Sequence, residues 1–288
     1  MNKLLSYCFF KPLILPQNRT WDKDWDKHDR YYYNIPAVLL TNRILYPDYK
    51  TLIFVTPNIY ENPLSRIFKI FENESLELAE IDFKYSVTEP MVLRMVPLWE
   101  PTDIFHTRDL DSVPTETEYR YLRCFEQSSC TIGTIRTHQN HYGRGCRMLG
   151  GLSSFKPREI PASIKGPSFI EYFKKGHYQY GCDQDLLISN FTNTPEYTKD
   201  FFYDCMAYRQ KNQQDFPCQT CSQNDLNCIE VEPEKQTLFD TLKSSGLDVW
   251  AGEPIDARGA YTEKVLAKFN NEKKAIEQDS LLRDFYLS

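Results

Sequence analysis

The chain has 288 residues, 41% of them hydrophobic and 26% charged. That is the composition of a globular protein with a sizeable core, which excludes a globally disordered chain. Lys and Arg total 34 against 40 Asp and Glu, a formal charge of −6, so neither nucleic acid nor an anionic membrane is expected as a partner, although a local positive pocket for a phosphate remains compatible.

The opening MNKLLSYCFFKPLILP is broken by Tyr7, Lys11 and Pro12 and lacks a small-residue cleavage site. It reads as a buried strand, roughly Leu4 to Phe10, rather than a signal peptide. No run approaches the roughly 20 apolar residues of a membrane span. A cytosolic location is expected, in the host cytosol if the protein is viral. A polar loop, QNRTWDKDWDKHDR, follows, then YYYNIPAVLLTNRIL with apolar residues at helical spacing. TLIFVT is rich in β-branched and aromatic residues and predicts a buried strand. NPLSRIFKIFEN predicts a helix with Pro near its first turn, LELAEIDF a strand, EPMVLRMVPLWE a helix, and TDIFHT a strand that runs directly into RDLDS. Alternating strands and helices indicate an α/β fold with a mainly parallel sheet, in which ligands bind outside the carboxyl ends of the strands.

Beyond this the pattern changes. TETEYRYLRCFEQ predicts a helix and CTIGTIRTH a strand; HYGRGCRMLGGLSS reads as a glycine-rich loop. PSFIEYFKKG is a short helix, and YGCDQDLLISNF begins as a loop and becomes one. The tail from about Glu232 is polar and helical. One catalytic domain over residues 1–230 with a helical extension, 231–288, packed on it is the expected organisation. Nine scattered cysteines fit a reduced compartment. Cys218-x-x-Cys221 with Cys228 lacks an obvious fourth zinc ligand, and the sequons at Asn18, Asn73 and Asn190 are expected to be silent.

Three features could carry chemistry. In Arg108-Asp109-Leu110-Asp111-Ser112, two carboxylates at a strand mouth can bind one hard divalent cation, Mn²⁺ or Mg²⁺, whose shell a substrate phosphate completes. Other DxD patterns exist, at Asp22, Asp24 and Asp183, but only Asp109 and Asp111 follow an apolar strand in an α/β pattern. The bland alternative is that they cap the next helix. The second feature is Arg136 and His138 leaving a strand, where they could neutralise phosphate, followed by Gly150-Gly151, which lets backbone approach a ligand; a surface loop would look the same. The third is Tyr180-Gly181-Cys182-Asp183-Gln184-Asp185, where polar residues open an apolar helix and could equally be N-caps.

Together these features resemble the GT-A-type, nucleotide-sugar-dependent glycosyltransferases, above all those that chloroviruses, large viruses of algae, encode for their capsid glycans. The stretches that carry the resemblance are SYCFF, DRYYYNIPAVL, TEPMVLRMVPLWEPTDIFHTRDLDS, and IRTHQNHYGRGCRMLGGLSS leading to YGCDQDLL. It spans roughly residues 4 to 220, with a xylosyltransferase of capsid N-glycan synthesis as the nearest type. The resemblance implies a metal-dependent, inverting transfer from a UDP-sugar to a glycan hydroxyl. Asp109 and Asp111 would hold the metal and donor diphosphate, with Asp204 as a further metal ligand, and Asp183 would be the catalytic base. Tyr7, Tyr31, Arg94, Arg136, His138, Gly150, Gly151 and Gln184 would line the donor side. RTHQNH departs from the RDHPxH of relatives, and Tyr203-Asp204 stands where relatives carry His-Asp. Two other readings stay open: a Mg²⁺-dependent phosphatase or phosphotransferase using Asp109 as nucleophile, and a non-catalytic sugar-binding module exploiting the 14% aromatic content.

Overall fold

A computed structural model describes residues 1–11, 29–73, 75–82, 89–135, 148, 150–166, 168–169, 182–187, 191, 201–204, 220–221, 226, 228–247, 251–252 and 255–287. The eight strands among them are β1 (Lys3–Phe9), β2 (Lys50–Val55), β3 (Leu76–Glu80), β4 (Ile104–Thr107), β5 (Ile132–Ile135), β6 (Ser153–Phe155), β7 (Phe201–Asp204) and β8 (Thr220–Cys221). They form one mixed sheet in the order β3-β2-β1-β4-β6-β5-β7-β8. β1 pairs in parallel with β2 and β4, and β2 with β3. β6 is antiparallel to both β4 and β5, while β7 and β8 continue parallel to β5. The expected α/β architecture is therefore present, a mainly parallel sheet flanked by helices. The N-terminal segment is an interior strand of that sheet.

Alternation along β1 sorts the two faces. Leu5, Tyr7 and Phe9 join Ile53 and Val55 in one core with Val38 and Leu40 of the helix Ile35–Leu45. The opposite face packs Leu4, Phe105, Ile132 and Phe155 against Val92, Met95 and Leu98, and against Leu186 and Leu187. Each fully buried Leu or Phe contributes about 1.5–3 kcal/mol relative to exposure. The helices Pro233–Ser244, Ala260–Leu266, Asn270–Gln278 and Ser280–Tyr286 share the first core through Leu238, Tyr261, Ile276 and Tyr286. Tyr261 and Thr41 share a hydroxyl bond of 3.0 Å, and the Tyr286 hydroxyl donates to the Tyr32 carbonyl at 2.8 Å.

Two elements differ from the sequence reading. EPMVLRMVPLWE, expected as a helix, is a 3₁₀ run over Glu89–Leu98 with Pro97 near its end, where the missing N–H breaks the ladder. The Ser6 hydroxyl fixes this run to the sheet by donating to the Arg94 carbonyl at 2.8 Å. The end of the GLSS stretch, expected as loop, is β6, held on both edges by β4 and β5. Among the described residues no helix is long and apolar enough to cross a membrane.

Candidate active site

The site lies where β4 ends. All four residues of β4 are buried, so the chain emerges at the carboxyl edge of the sheet directly into Arg108–Ser112. Because β6 runs antiparallel to β4, its start lies at this same edge. The Gly150-Gly151 turn, just before β6, is thereby placed beside the loop after β4. Helix Cys182–Leu187 packs on the 3₁₀ run and brings Asp183 to the same point.

Arg94 is the hub. Its guanidinium is 2% exposed and pairs with Asp109 through Nη1 and with Asp183 through Nη2. Its Nε also donates to Asp183 Oδ2 at 3.1 Å. Burial alone would lower the Arg94 pKa, but Asp109 and Asp183 outweigh it and hold the pKa well above its ordinary value. Arg94 thus lies beneath the site, gripping two carboxylates, rather than lining open donor space as expected. The carboxylates differ in access: Asp109 is 42% exposed and Asp183 is 0% exposed. The remaining oxygen of Asp183, Oδ1, accepts from the backbone N–H of Gln184 at 2.9 Å. A Cβ on Gly150 would overlap Asp183 Oδ2, and one on Gly151 would overlap Asp109 Oδ2. The two glycines let both aspartates take these positions, so RDLDS, the Gly-Gly turn and the DQ helix meet at one place.

A second arginine holds the loop from below. Arg108 pairs with Glu118 in the interior, and its Nη2 donates to the carbonyl and hydroxyl of Ser112 at 3.1 and 3.2 Å. Glu118 also faces His106 Nε2 at 3.2 Å. A carboxylate only accepts, so Nε2 carries the imidazole proton, and Nδ1 accepts from the Ser154 hydroxyl at 2.6 Å. Sequence reasoning missed both Arg108 and Glu118. The available signal was a charge directly after a strand expected inside the sheet, which demands a buried partner.

Tyr7 corrects an expectation. It points into the core beside Phe9, fully enclosed, and its hydroxyl accepts from Asn42 Nδ2 at 2.8 Å. No nucleoside can stack on it. Burial pushes its phenol pKa up, so it stays neutral. Tyr31 is half-buried, edge-on to Phe9 at 6.4 Å near the end of β1. Asp111 is half-buried beside Leu110, Gln184 follows Asp183 on its helix, and Asp204 ends β7 in register with Ile135. Arg136, His138 and Cys218 lie outside the described residues. Cys8, half-buried at the end of β1, has its thiol pKa pushed up to about 12 by burial, so it supplies no thiolate.

Among the described residues no group of three or more His, Cys, Asp or Glu side chains could hold a metal ion. Asp109 and Asp111 nevertheless suit a hard cation. They offer only oxygen donors at an open rim, and Mg²⁺ in particular keeps water and takes substrate phosphate around one or two carboxylates. Asp183 does not fit that set as held here, because its oxygens are engaged by Arg94 and the Gln184 N–H.

No family profile matches the sequence, and no curated protein is significantly similar to it. Among solved structures the chain is similar to galactosyltransferase LgtC in complex with donor and acceptor sugar analogs. The identity is 9%, over 82% of this chain and 99% of that one, with a TM-score of 0.38. An active-site mutant of LgtC gives 10% identity, 85% and 96% coverage, and 0.38. The 4-diphosphocytidyl-2C-methyl-D-erythritol synthase of Anaerococcus prevotii gives 8%, 84% and 99%, and 0.36. Overlap this loose transfers no activity and no residue role.

Proposed function

We propose that the chain is a nucleotide-sugar glycosyltransferase of the GT-A type, moving a sugar from a UDP-sugar to a glycan hydroxyl. Xylose is the first candidate sugar, and capsid glycan synthesis in a chlorovirus is the setting that the motifs suggest. One observation carries the reading: three motifs distant in sequence converge on Arg94 at the carboxyl edge of the sheet, where α/β folds bind ligands.

In this proposal Asp109 and Asp111 hold Mn²⁺ or Mg²⁺ with the donor diphosphate. A bound cation would stabilise the charge that develops on the leaving diphosphate. Gly150 and Gly151 keep the wall of the site low, so that backbone and aspartates can approach the donor. Asp183 is the proposed base, removing the acceptor proton as the hydroxyl attacks the anomeric carbon in line, with inversion. For that, Arg94 must release Asp183 Oδ2. An incoming diphosphate beside Asp109 offers the guanidinium an alternative anionic partner.

Calorimetry with UDP, a panel of nucleotide sugars and Mn²⁺ tests the proposal. The expected result is UDP-sugar binding that disappears in EDTA and returns with Mn²⁺. In Asp111→Ala, binding and transfer should fall by at least about 10-fold, the lower bound for disturbing a metal shell, with far-UV circular dichroism unchanged. Full binding and transfer in EDTA, or tighter binding of GDP or CMP sugars, would overturn it.

A further inference from the structure

Three distant parts of the chain meet at Asn34. It is wholly buried at the entry of the helix Ile35–Leu45, yet its side chain makes no capping bond to that helix, the usual use of an asparagine there. Instead Nδ2 donates to the Asp111 carbonyl at 2.8 Å and to the Ile255 carbonyl at 2.6 Å. Oδ1 accepts from the Ala257 N–H at 2.8 Å. The Ile255 N–H also donates to the Asp111 carbonyl, at 2.9 Å. Both amide hydrogens and the amide oxygen of Asn34 are thus engaged, and the Asp111 carbonyl receives two donors.

We propose that Asn34 is a positioning residue for Asp111, clamping residues 255–257 onto the backbone of the metal-binding loop and so setting the direction of the Asp111 carboxylate. Two donors on one carbonyl fix the peptide plane after Asp111, and Arg108 fixes the next residue through Ser112. With Leu110 buried on the other side, the Cα–Cβ direction of Asp111 follows from the backbone. The C-terminal helices do not depend on Asn34 to stay docked. Thr41–Tyr261, Tyr286–Tyr32 and the Arg43–Glu272 ion pair hold them elsewhere. The Asn34 knot therefore does something those contacts do not: it ties the tail to a candidate ligand. The inference rests on the glycosyltransferase reading above.

The test is a Mn²⁺ titration of UDP binding by calorimetry on the full chain. Asn34→Ala should need roughly 10–100-fold more Mn²⁺ for half-saturation, the usual loss when a partner of a metal ligand is removed. At saturating Mn²⁺ its UDP affinity should return to the wild-type value. Tyr261→Phe cuts another buried tie between tail and core and serves as the structural control. It should lose thermal stability while keeping the wild-type Mn²⁺ dependence. If Asn34→Ala does not fold, Asn34→Ser, which retains a short polar group, is measured in its place and should show the same weakening. Wild-type Mn²⁺ dependence in the Asn34 variant, or equal weakening in Tyr261→Phe, overturns the inference alone. Binding of UDP by the native protein without any help from Mn²⁺ overturns the functional reading and this inference with it.

Discussion

Arg94 and Arg108 lie on adjoining elements, are equally buried, and each pairs with carboxylates, yet they serve different regions. Arg108 sits in a closed interior patch: Glu118 and His106 are inaccessible, and its other bonds go to Ser112 at the back of the loop. Arg94 sits at a rim, with one partner enclosed and the other, Asp109, open to solvent. The interior pair is uncoupled from solvent and can only fix geometry. The rim pair can respond to a ligand, because an anion arriving at Asp109 meets the same guanidinium that holds Asp183.

The largest expected effect comes from breaking the interior pair. Glu118→Gln leaves Arg108 without a buried counter-charge, which costs about 3–5 kcal/mol. Urea unfolding should read that loss directly, and a change under about 1 kcal/mol would mean the patch is wetter than its burial implies. The two glycines sharpen the contrast at the rim. Gly150→Ala forces a methyl against Asp183 and Arg94, neither of which can swing into solvent, so an overpacking cost of about 1–3 kcal/mol is expected. Gly151→Ala pushes on Asp109, which can swing into solvent. Stability should change by less than about 1 kcal/mol, while Mn²⁺-dependent UDP binding weakens. Equal destabilisation at both positions would remove the distinction between closed and open partners.

The last effect is a pH dependence, absent at neutral pH. Burial first, and the Arg108 charge second, push the His106 pKa from 6.5 to about 3. The folded protein therefore keeps His106 neutral while the unfolded chain takes up a proton below pH 6.5. No penalty exists above that pH, and one accumulates as the pH falls toward 3. His106→Gln should flatten the fall of the melting temperature across this window. The carboxylates titrate in both variants and cancel in the difference, so an unchanged slope would show that His106 is not held neutral.

The parallel half of the sheet was legible because β1, β2 and β4 each carry a run of apolar residues bounded by turns. The convergence of RDLDS, Gly-Gly and DQ was legible only as an order of motifs; that Gly150 faces Asp183 and Gly151 faces Asp109 is set by the antiparallel β6, whose three residues carry too little pattern to announce a strand. Tyr7 was misplaced although the alternation Leu5, Tyr7, Phe9 marks a core face. The resemblance put it on the donor side; the core encloses it instead, and Asn42 donates to its hydroxyl. Thr115 and Glu118 have capping-box spacing, and Thr115 does accept from the Glu118 N–H at 3.3 Å. The Glu118 side chain goes to Arg108 because an unpaired buried charge costs more than an unfilled cap. Asn34 had no sequence signal beyond its helix-entry position, since its partners lie 77 and 221 residues away.

That last separation has a consequence for how the protein is made. The ribosome releases the Asp109–Asp111 loop long before residues 255–257 exist, so a nascent chain can pair β1, β2 and β4 while the Asp111 carbonyl still lacks its Ile255 partner. Closing so long a loop is among the slower steps available to a folding chain. The Asp109–Asp111 loop would then reach its final shape after these strands have paired, when the C-terminal segment arrives at Asn34.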